Sequence, residues 1–253
     1  MKPEPEKIIE IPLYAAFNLC APRPIAVLTT MHYTKLSAYC IHRAKQKMGV
    51  KSAPIDYDGI DYDAAPMSTL TLQGKRPRNH KGPFEKGGPP VHVVSITGTR
   101  KTYRNLLDIK ETVANFLWPR QGDADRMYVL SNGSYDNGNA KIKDSGLTLE
   151  PSMKVSVPRI AEAMAWIEYK LIRKIDIPES ERPIFLLEPV AAYCLEGLVD
   201  PKTYAYNTEN VPLGQLSANI CSGGLNGIII AKRGSDRKGF TPPEHWAYSD
   251  GLK

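Results

Sequence analysis

The sequence predicts a mainly β protein decorated with two or three short helices. Compact apolar runs rich in β-branched and aromatic residues recur along the chain, as expected for buried strands. They do not alternate regularly with helical segments, which argues for a β-barrel rather than a parallel Rossmann sheet. The predicted strands cover residues 24–30, 91–96, 112–117, 166–172 and 184–193.

Two segments favour helices instead. Residues 38–48 contain no glycine or proline and are rich in helix formers, and Gly49 follows where a C-terminal cap would stand. Residues 103–114 place apolar side chains at helix-like spacings. From residue 217 onward, only residues 227–230 look ordered by themselves.

Length and composition set broad limits. The chain has 253 residues, of which 42% are hydrophobic, so it can bury a sizeable core. No repeat or clean linker divides it, and we expect a single domain over 1–253, with a core of about 8–200 and a C-terminal extension of about 207–253. No apolar run reaches the roughly 18 residues of a membrane span. The charged start lacks a signal-peptide pattern, which predicts a cytoplasmic protein with no membrane partner.

The four cysteines are far apart, so they form no zinc or thioredoxin-type motif, and we expect buried, reduced thiols. The chain lacks the GxSxG and HExxH motifs, which excludes the common hydrolase classes. An acidic stretch at 56–63 predicts a loop, and its alternating carboxylates lack the closing glutamate of an EF-hand, so we expect no metal there. Its carboxylates are Asp56, Asp58, Asp61 and Asp63.

The net charge of +6 favours anionic partners without choosing among them. Residues 73–90 are basic and rich in glycine and proline, which predicts a long exposed loop. No nucleic-acid-binding motif accompanies this or the basic clusters at 43–51 and 232–238, so we interpret them as solvated faces and expect no nucleic-acid partner.

Residues 97–102 carry the groups that a phosphate needs. They combine hydroxyls, Arg100 and Lys101 between a strand end and a predicted helix start, where backbone N–H groups add partial positive charge. Gly98 would let the backbone approach closely, and Thr102 could cap the helix. From these residues alone, an exposed capping turn without a ligand remains an alternative.

Several short blocks, in order from residue 23 to about 190, resemble the flavin reductase-like family. Each block is weak alone, and their order carries the resemblance, which covers about two-thirds of the chain. The first three correspond to the family's R-P-I-A-L-V-T-T strand, its A-P-F-S element and its P-P-x-x-x-x-S strand: they lie at 23–30, 65–68 and 89–95. Five further blocks follow. Residues 101–105 resemble K-D-T-x-x-N, and residues 111–117 resemble E-T-x-x-F-V-V-N. Residues 145–152, 157–162 and 166–168 resemble G-L-T-x-x-P-S, P-R-I-x-E and L-E-C in that order.

This resemblance implies a six-stranded split β-barrel that forms a homodimer and binds one FMN per subunit, with FAD as a second candidate. The A-P-x-S and K-x-T-x-x-N segments would hold the flavin phosphate, and two threonines of the first strand would lie near the isoalloxazine edge. Mapped onto this sequence, the implied cofactor-binding residues are Thr29, Thr30, Ser68, Thr69, Thr97, Arg100, Lys101 and Thr102. The implied activity is that of a flavin-dependent oxidoreductase, in which NAD(P)H or another reduced donor passes electrons through the flavin to a small-molecule acceptor.

The chain departs from the family pattern in two places. Residues 31–63 form an insertion where the family has a short turn, and we expect it over the reactive side of the flavin. The aspartate of K-D-T is absent, because Thr102 follows Lys101 directly.

Two alternatives remain. In the first, the protein is an oxidase or electron-transfer protein that binds haem as well as flavin, and His42 or His32 of the insertion ligates the haem iron. Ordinary roles are favoured for both histidines: a surface position for His42 and a loop position for His32. The chain could also be a non-enzymatic flavin-binding or structural barrel. No catalytic side chain is assigned, since the flavin itself does the chemistry.

Overall fold

The computed structural model describes residues 23–48, 55, 57–75, 90–131, 137–199, 212–217, 220–223 and 228–232. Its helices are α1 (Leu36–Lys47), α2 (Lys101–Ile109), α3 (Gln121–Ser131) and α4 (Gly138–Asp144). Its strands are β1 (Arg23–Pro24), β2 (Ala26–Tyr33), β3 (Ile60–Met67), β4 (Thr71–Lys75), β5 (Pro90–Ser95), β6 (Glu111–Phe116), β7 (Leu149–Glu150), β8 (Arg159–Ile160), β9 (Ala165–Ile175), β10 (Ile184–Cys194), β11 (Gly214–Ser217), β12 (Ile220–Gly223) and β13 (Ile228–Lys232). No helix in these described segments is long and apolar enough to cross a membrane.

One large antiparallel sheet organises the fold. Its seven strands run in the order β3-β2-β6-β9-β10-β5-β4, and every neighbouring pair is antiparallel. The mainly β prediction with helical decorations is therefore confirmed, and β4 brings the sheet to seven strands where six were expected. All five predicted apolar runs form strands of this sheet.

Both faces of β2 are buried over its first six residues, which fits its mostly apolar sequence. Because successive strand side chains point to opposite faces, β2 contributes to two separate cores. Val27 and Met31 pack in one core with Trp166, whereas Ala26 and Leu28 pack in the other. Helix α2 lies against the second core through Leu106.

The start of helix α4 covers the outer edge of β3, which ends the sheet. The Asn139 side chain accepts a hydrogen bond from the Tyr62 N–H at 2.9 Å and donates one to the Ile60 carbonyl at 2.9 Å. It thereby satisfies the backbone groups that a neighbouring strand would otherwise bind. Asn137 caps the helix, with its side chain accepting from the Asn139 and Ala140 amides.

A smaller four-stranded sheet, of order β1-β11-β12-β13, joins the C-terminal part of the chain to its beginning. Strand β1 pairs with β11 through Arg23 and Gln215. Order was expected at residues 227–230, and residues 228–230 form part of β13. Strands β11 and β12 add order that the sequence did not indicate. The single-domain division of the chain stays a prediction.

Two predicted loops are wrong in part. Residues 60–63 of the acidic stretch lie in β3 and residues 73–75 of the basic stretch lie in β4. Asp61 and Asp63 fit a strand because lysines neutralise them there. Asp56 and residues 76–89 lie outside the described residues.

The helices need three further corrections. The residue that caps α2 is Arg100, which makes no side-chain cap bond, while Thr102 lies inside the helix and binds Asp63 instead. Helix α2 ends at Ile109 because β6 begins at Glu111, so the helical spacing does not continue to residue 114. Helix α1 confirms the helix predicted at 38–48, although the Cys40 thiol it carries is exposed rather than buried.

Candidate flavin-phosphate site at the start of helix α2

Two hydrogen bonds join the turn after β3 to the end of β5. The Thr69 hydroxyl donates to the Ser95 carbonyl at 3.0 Å and accepts from the Ser95 N–H at 3.2 Å. Residues 68–69 and 97–100, which are far apart in the sequence, therefore lie on neighbouring parts of the surface. Ser68 and Thr97 are partly exposed and Thr69 is exposed, so their hydroxyls lie at or near solvent.

The segment between β5 and α2 is a tight turn fixed at both ends. The Gly98 N–H donates to the Glu181 carbonyl at 3.0 Å, and the Arg100 N–H donates to the Thr97 carbonyl at 3.0 Å. Arg100 stands at the N-cap in extended conformation, and its side chain caps no helix amide. The first N–H groups of a helix have no partner within the helix, which leaves partial positive charge at this end.

Lys101 and Thr102 turn away from that end toward two carboxylates on β3. Lys101 Nζ lies 2.9 Å from Asp61 Oδ2, and the Thr102 hydroxyl donates to Asp63 at 2.8 Å. Thr102 is buried and Lys101 is largely buried. Both residues therefore already have partners within the chain.

The two aspartates also bind helix α4. Asp61 accepts hydrogen bonds from the Gly138 N–H at 2.9 Å and the Asn139 N–H at 3.2 Å, and Asp63 forms a buried ion pair with Lys141. These contacts connect α2, β3 and α4 in one polar cluster. We call Asp61, Asp63, Lys101, Thr102 and Lys141 the carboxylate–lysine cluster.

Thr29 and Thr30 lie in the interior of the sheet. The Thr29 hydroxyl donates to the Pro158 carbonyl at 2.6 Å, and the Thr30 hydroxyl accepts from Asn105 Nδ2 at 3.2 Å. Both side chains are fully buried. The structure therefore does not bring these two hydroxyls to the surface beside Thr69 and Arg100, and their contact with a flavin ring stays a prediction.

The histidines proposed as haem ligands have different surroundings. His32 Nδ1 lies 3.9 Å from Asp61 Oδ2, and this buried nitrogen has no hydrogen-bond partner among the described residues. His42 lies in α1, and its side chain is outside the described part of the structure. Within that part, no group of three or more His, Cys, Asp or Glu side chains could hold a metal ion.

Glu168 organises a second polar network, which the sequence did not single out. Its buried carboxylate accepts from the backbone N–H groups of residues 153, 154 and 155, at 2.7, 2.6 and 3.0 Å, and from the Tyr193 hydroxyl at 2.6 Å. Burial and this hydrogen bond raise the pKa of Tyr193. Glu111 on the adjacent strand accepts from the Ser156 N–H at 2.7 Å, so two carboxylates fix the loop that precedes Pro158.

His92 and Tyr169 form a further internal pair. The His92 ring binds the Tyr169 hydroxyl through Nδ1, and burial lowers the pKa of His92 and raises that of Tyr169. His92 is packed within the sheet, as its alternating strand position indicates.

The carboxylate–lysine cluster includes residues that the sequence interpretation misplaced. Asp61 and Asp63 were assigned to a loop, and Lys141 was assigned no role. The available signal was the alternation of Asp61, Tyr62 and Asp63, which is also the two-residue period of a strand.

Comparison with known proteins identifies the domain type. Residues 87–212 match the model of the flavin reductase like domain, and this match begins just before β5 and includes α2, the 97–102 segment and β10, whereas Ser68 and Thr69 precede it. The chain contains a flavin reductase-like domain. No curated protein matches the sequence.

Solved structures with similar folds include three proteins whose names concern flavin or redox chemistry. A 2-nitrobenzoate 2-nitroreductase from Pseudomonas fluorescens is 23% identical, with a TM-score of 0.55, over 96% of this chain and 100% of that chain. Nitrilotriacetate monooxygenase component B from Bacillus cereus is 18% identical, with a TM-score of 0.57, over 91% and 99%. An FMN-binding protein from Thermus thermophilus is 18% identical, with a TM-score of 0.55, over 94% and 99%.

These identities are low, so the neighbours establish the fold of the flavin reductase-like chain and not its substrates. The motif blocks at 89–95, 101–105 and 111–117 fall on β5, α2 and β6, inside the matched region. Of the two predicted phosphate segments, 101–105 lies inside the matched region at the start of α2, and 65–68 precedes the matched region.

Proposed function

We propose that this flavin reductase-like chain binds FMN and passes electrons from a reduced donor, such as NAD(P)H, to a small-molecule acceptor. The observation that carries the proposal is the pair of hydrogen bonds between Thr69 and Ser95. They bring the Ser68–Thr69 turn beside the start of α2, where the sequence predicts the two halves of a phosphate site.

The donors at this place fit a phosphate ester. A phosphate is bound best by hydroxyls, cations and the N–H groups at a helix start. Ser68 and Thr97 supply partly exposed hydroxyls, Arg100 supplies a charged fork, and the α2 N-terminus has no side-chain cap. An anion would therefore complete the end of this helix.

A bound flavin supplies the transfer of one or two electrons, and the protein supplies binding, orientation and tuning. The sheet supports this role through a rigid polar interior beneath the site. Asn105 ties α2 to Thr30, and Asn115 donates to the Val27 carbonyl at 2.8 Å and accepts from the Ile160 N–H at 2.7 Å. These contacts hold the strands and α2 in a fixed relation, which preorganises the site.

The oxidoreductase assignment also draws support from the proteins of similar fold, which include a nitroreductase and a monooxygenase component. We also propose that two copies of the chain associate as a homodimer, because the family resemblance implies one. FMN is preferred to FAD because an FMN-binding protein is among the similar structures.

The test is the visible absorption spectrum of the purified protein incubated with FMN and freed of excess, before and after anaerobic addition of NADH. Flavin absorption that bleaches on addition supports the proposal. Flavin absorption that persists identifies another electron donor or a non-enzymatic flavin-binding protein. A protein that retains no flavin contradicts the proposal, and a strong Soret band in addition to the flavin absorption would favour the alternative that binds both flavin and haem.

A further inference from the structure

Two neighbouring carboxylates of β3 engage the first two residues of α2. Asp61 and Asp63 are 7% and 2% exposed, and they bind the Lys101 ammonium and the Thr102 hydroxyl. A buried carboxylate is costly unless charges and hydrogen bonds compensate it. Lys101 therefore neutralises the buried charge of Asp61, and Asp61 in turn fixes the position of the Lys101 ammonium.

The carboxylate–lysine cluster is formally neutral. Asp61 and Asp63 carry two negative charges, and Lys101 and Lys141 carry two positive charges. Asp61 also accepts two amides from the start of α4. An anion approaching Lys101 would meet a cation already paired at 2.9 Å, so the cluster offers it little net attraction.

Arg100 has the opposite surroundings. Its side chain is exposed, and none of the ion pairs among the described residues includes it. Arg100 is the N-cap residue of α2, and its backbone N–H donates to the Thr97 carbonyl in the preceding turn. A free guanidinium at this point can bind two phosphate oxygens at once.

We propose that Arg100 supplies the positive charge that faces the flavin phosphate, and that Lys101 and Thr102 are positioning residues held by Asp61 and Asp63. This inference rests on the proposed function, because it assumes that the chain binds FMN. In this arrangement the two aspartates fix the first turn of α2 against β3 and thereby set the position of Arg100. The sequence interpretation had given Arg100 and Lys101 the same role.

The test compares FMN with riboflavin, which has the same ring system but no phosphate. The ratio of the two dissociation constants isolates contacts to the phosphate, because a defect in packing weakens both ligands alike. For Arg100→Gln we expect the preference for FMN over riboflavin to fall by about tenfold or more, with the melting temperature unchanged. Arg173→Gln, which removes an exposed arginine on β9, is the matched control and should leave the ratio unchanged.

Lys101→Met should behave differently. We expect it to lower the melting temperature and to weaken FMN and riboflavin by the same factor, because it leaves Asp61 without its cation. Lys143→Met removes an exposed lysine and should change neither quantity. If Lys101→Met does not fold, Lys101→Arg retains the charge, and we expect it to keep the wild-type preference for FMN.

Asp61→Asn should change the affinity for FMN in opposite directions, depending on whether Lys101 is a positioning residue or a phosphate ligand. If Lys101 is a positioning residue, the variant loses stability and weakens both flavins. If Lys101 binds the phosphate, releasing it from Asp61 should tighten FMN and leave riboflavin unchanged, which would overturn the inference. A selective loss of FMN in Lys101→Met with no change in Arg100→Gln would overturn it as well.

The two proposals can fail separately. A wild-type protein that binds neither flavin contradicts the proposed function and this inference together. A wild-type protein that binds FMN, with a preference over riboflavin that depends on Lys101 and not on Arg100, leaves the proposed function intact and contradicts the inference alone.

Discussion

Gly138 lies directly against the carbonyl group of Tyr62: a Cβ atom at position 138 would stand 2.0 Å from that oxygen. The contact is with the backbone of β3, which cannot move without disturbing its pairing with β2. Only glycine allows α4 to approach the strand edge so closely, and the approach brings the Gly138 and Asn139 amides to Asp61.

Gly138→Ala should therefore be strongly destabilising. We expect the free energy of unfolding to fall by about 3 kcal/mol or more, since the overlap forces α4 away from β3. The measurement is urea-induced unfolding. Gly122→Ala is the matched control, because a Cβ atom on that helical glycine meets nothing within 4 Å. The control should be neutral or stabilising by up to about 1 kcal/mol, and equal effects of the two substitutions would contradict the close approach.

Lys141→Met should leave Asp63 buried with one hydroxyl partner, Thr102. Removing one member of a buried ion pair costs about 3–5 kcal/mol, and changing both members together costs less than the sum of the single changes. A double-mutant cycle with Asp63→Asn, followed by denaturant unfolding, measures this coupling. Lys35→Met breaks the exposed pair with Asp58 and should have little effect. Additive effects of Lys141→Met and Asp63→Asn would show that the pair is not formed.

Glu168→Gln replaces an acceptor with an amide group at the point where three backbone N–H groups converge. We expect a loss of about 3 kcal/mol of stability and faster hydrogen exchange at residues 153–155, because one amide oxygen cannot satisfy all of these donors. Tyr193→Phe removes a single hydrogen bond to the same carboxylate and should cost about 1.5–3 kcal/mol. Unchanged exchange at residues 153–155 in Glu168→Gln would contradict this role of the carboxylate.

His92 should make stability depend on pH. Burial lowers the pKa of His92 below its ordinary value of 6.5, so the unfolded chain binds a proton that the folded chain does not. The resulting stabilisation is present above pH 6.5 and is lost as pH falls through the folded-state pKa. We expect the difference in unfolding free energy between wild type and His92→Gln to shrink as pH falls from about 7.5 to 5. A difference that stays constant or grows over this range would contradict the sign of the shift.

The strands were predictable because their sequences carry a local signal. Both faces of β2 and β6 are buried, so their apolar runs stand out, and the motif blocks supply their order. The start of α4 also carried a usable signal, since Asn137 is a preferred cap residue. That signal was missed because the glycine and asparagine residues around it favour a turn.

The carboxylate–lysine cluster could not be predicted from composition alone. Asp61 and Asp63 look like loop residues by their charge. The cations that compensate them in the strand, Lys101 and Lys141, lie 40 and 78 residues further along the chain. The sequence likewise could not distinguish Arg100 from Lys101, because adjacent cations look equivalent until the neighbouring strand is placed. Ion pairs between residues far apart in the sequence determine both the strand position of the aspartates and the different surroundings of the two cations.

Hydrogen exchange of the full chain with and without FMN tests the central claim most directly, since it reports both binding and its location. We predict that FMN slows the exchange of backbone amides in residues 68–69 and 97–102 and leaves α3 unchanged, with weaker protection for Arg100→Gln at the same FMN concentration. Exchange that is the same with and without FMN, or protection that leaves both segments unaffected, would contradict the assignment of the flavin site.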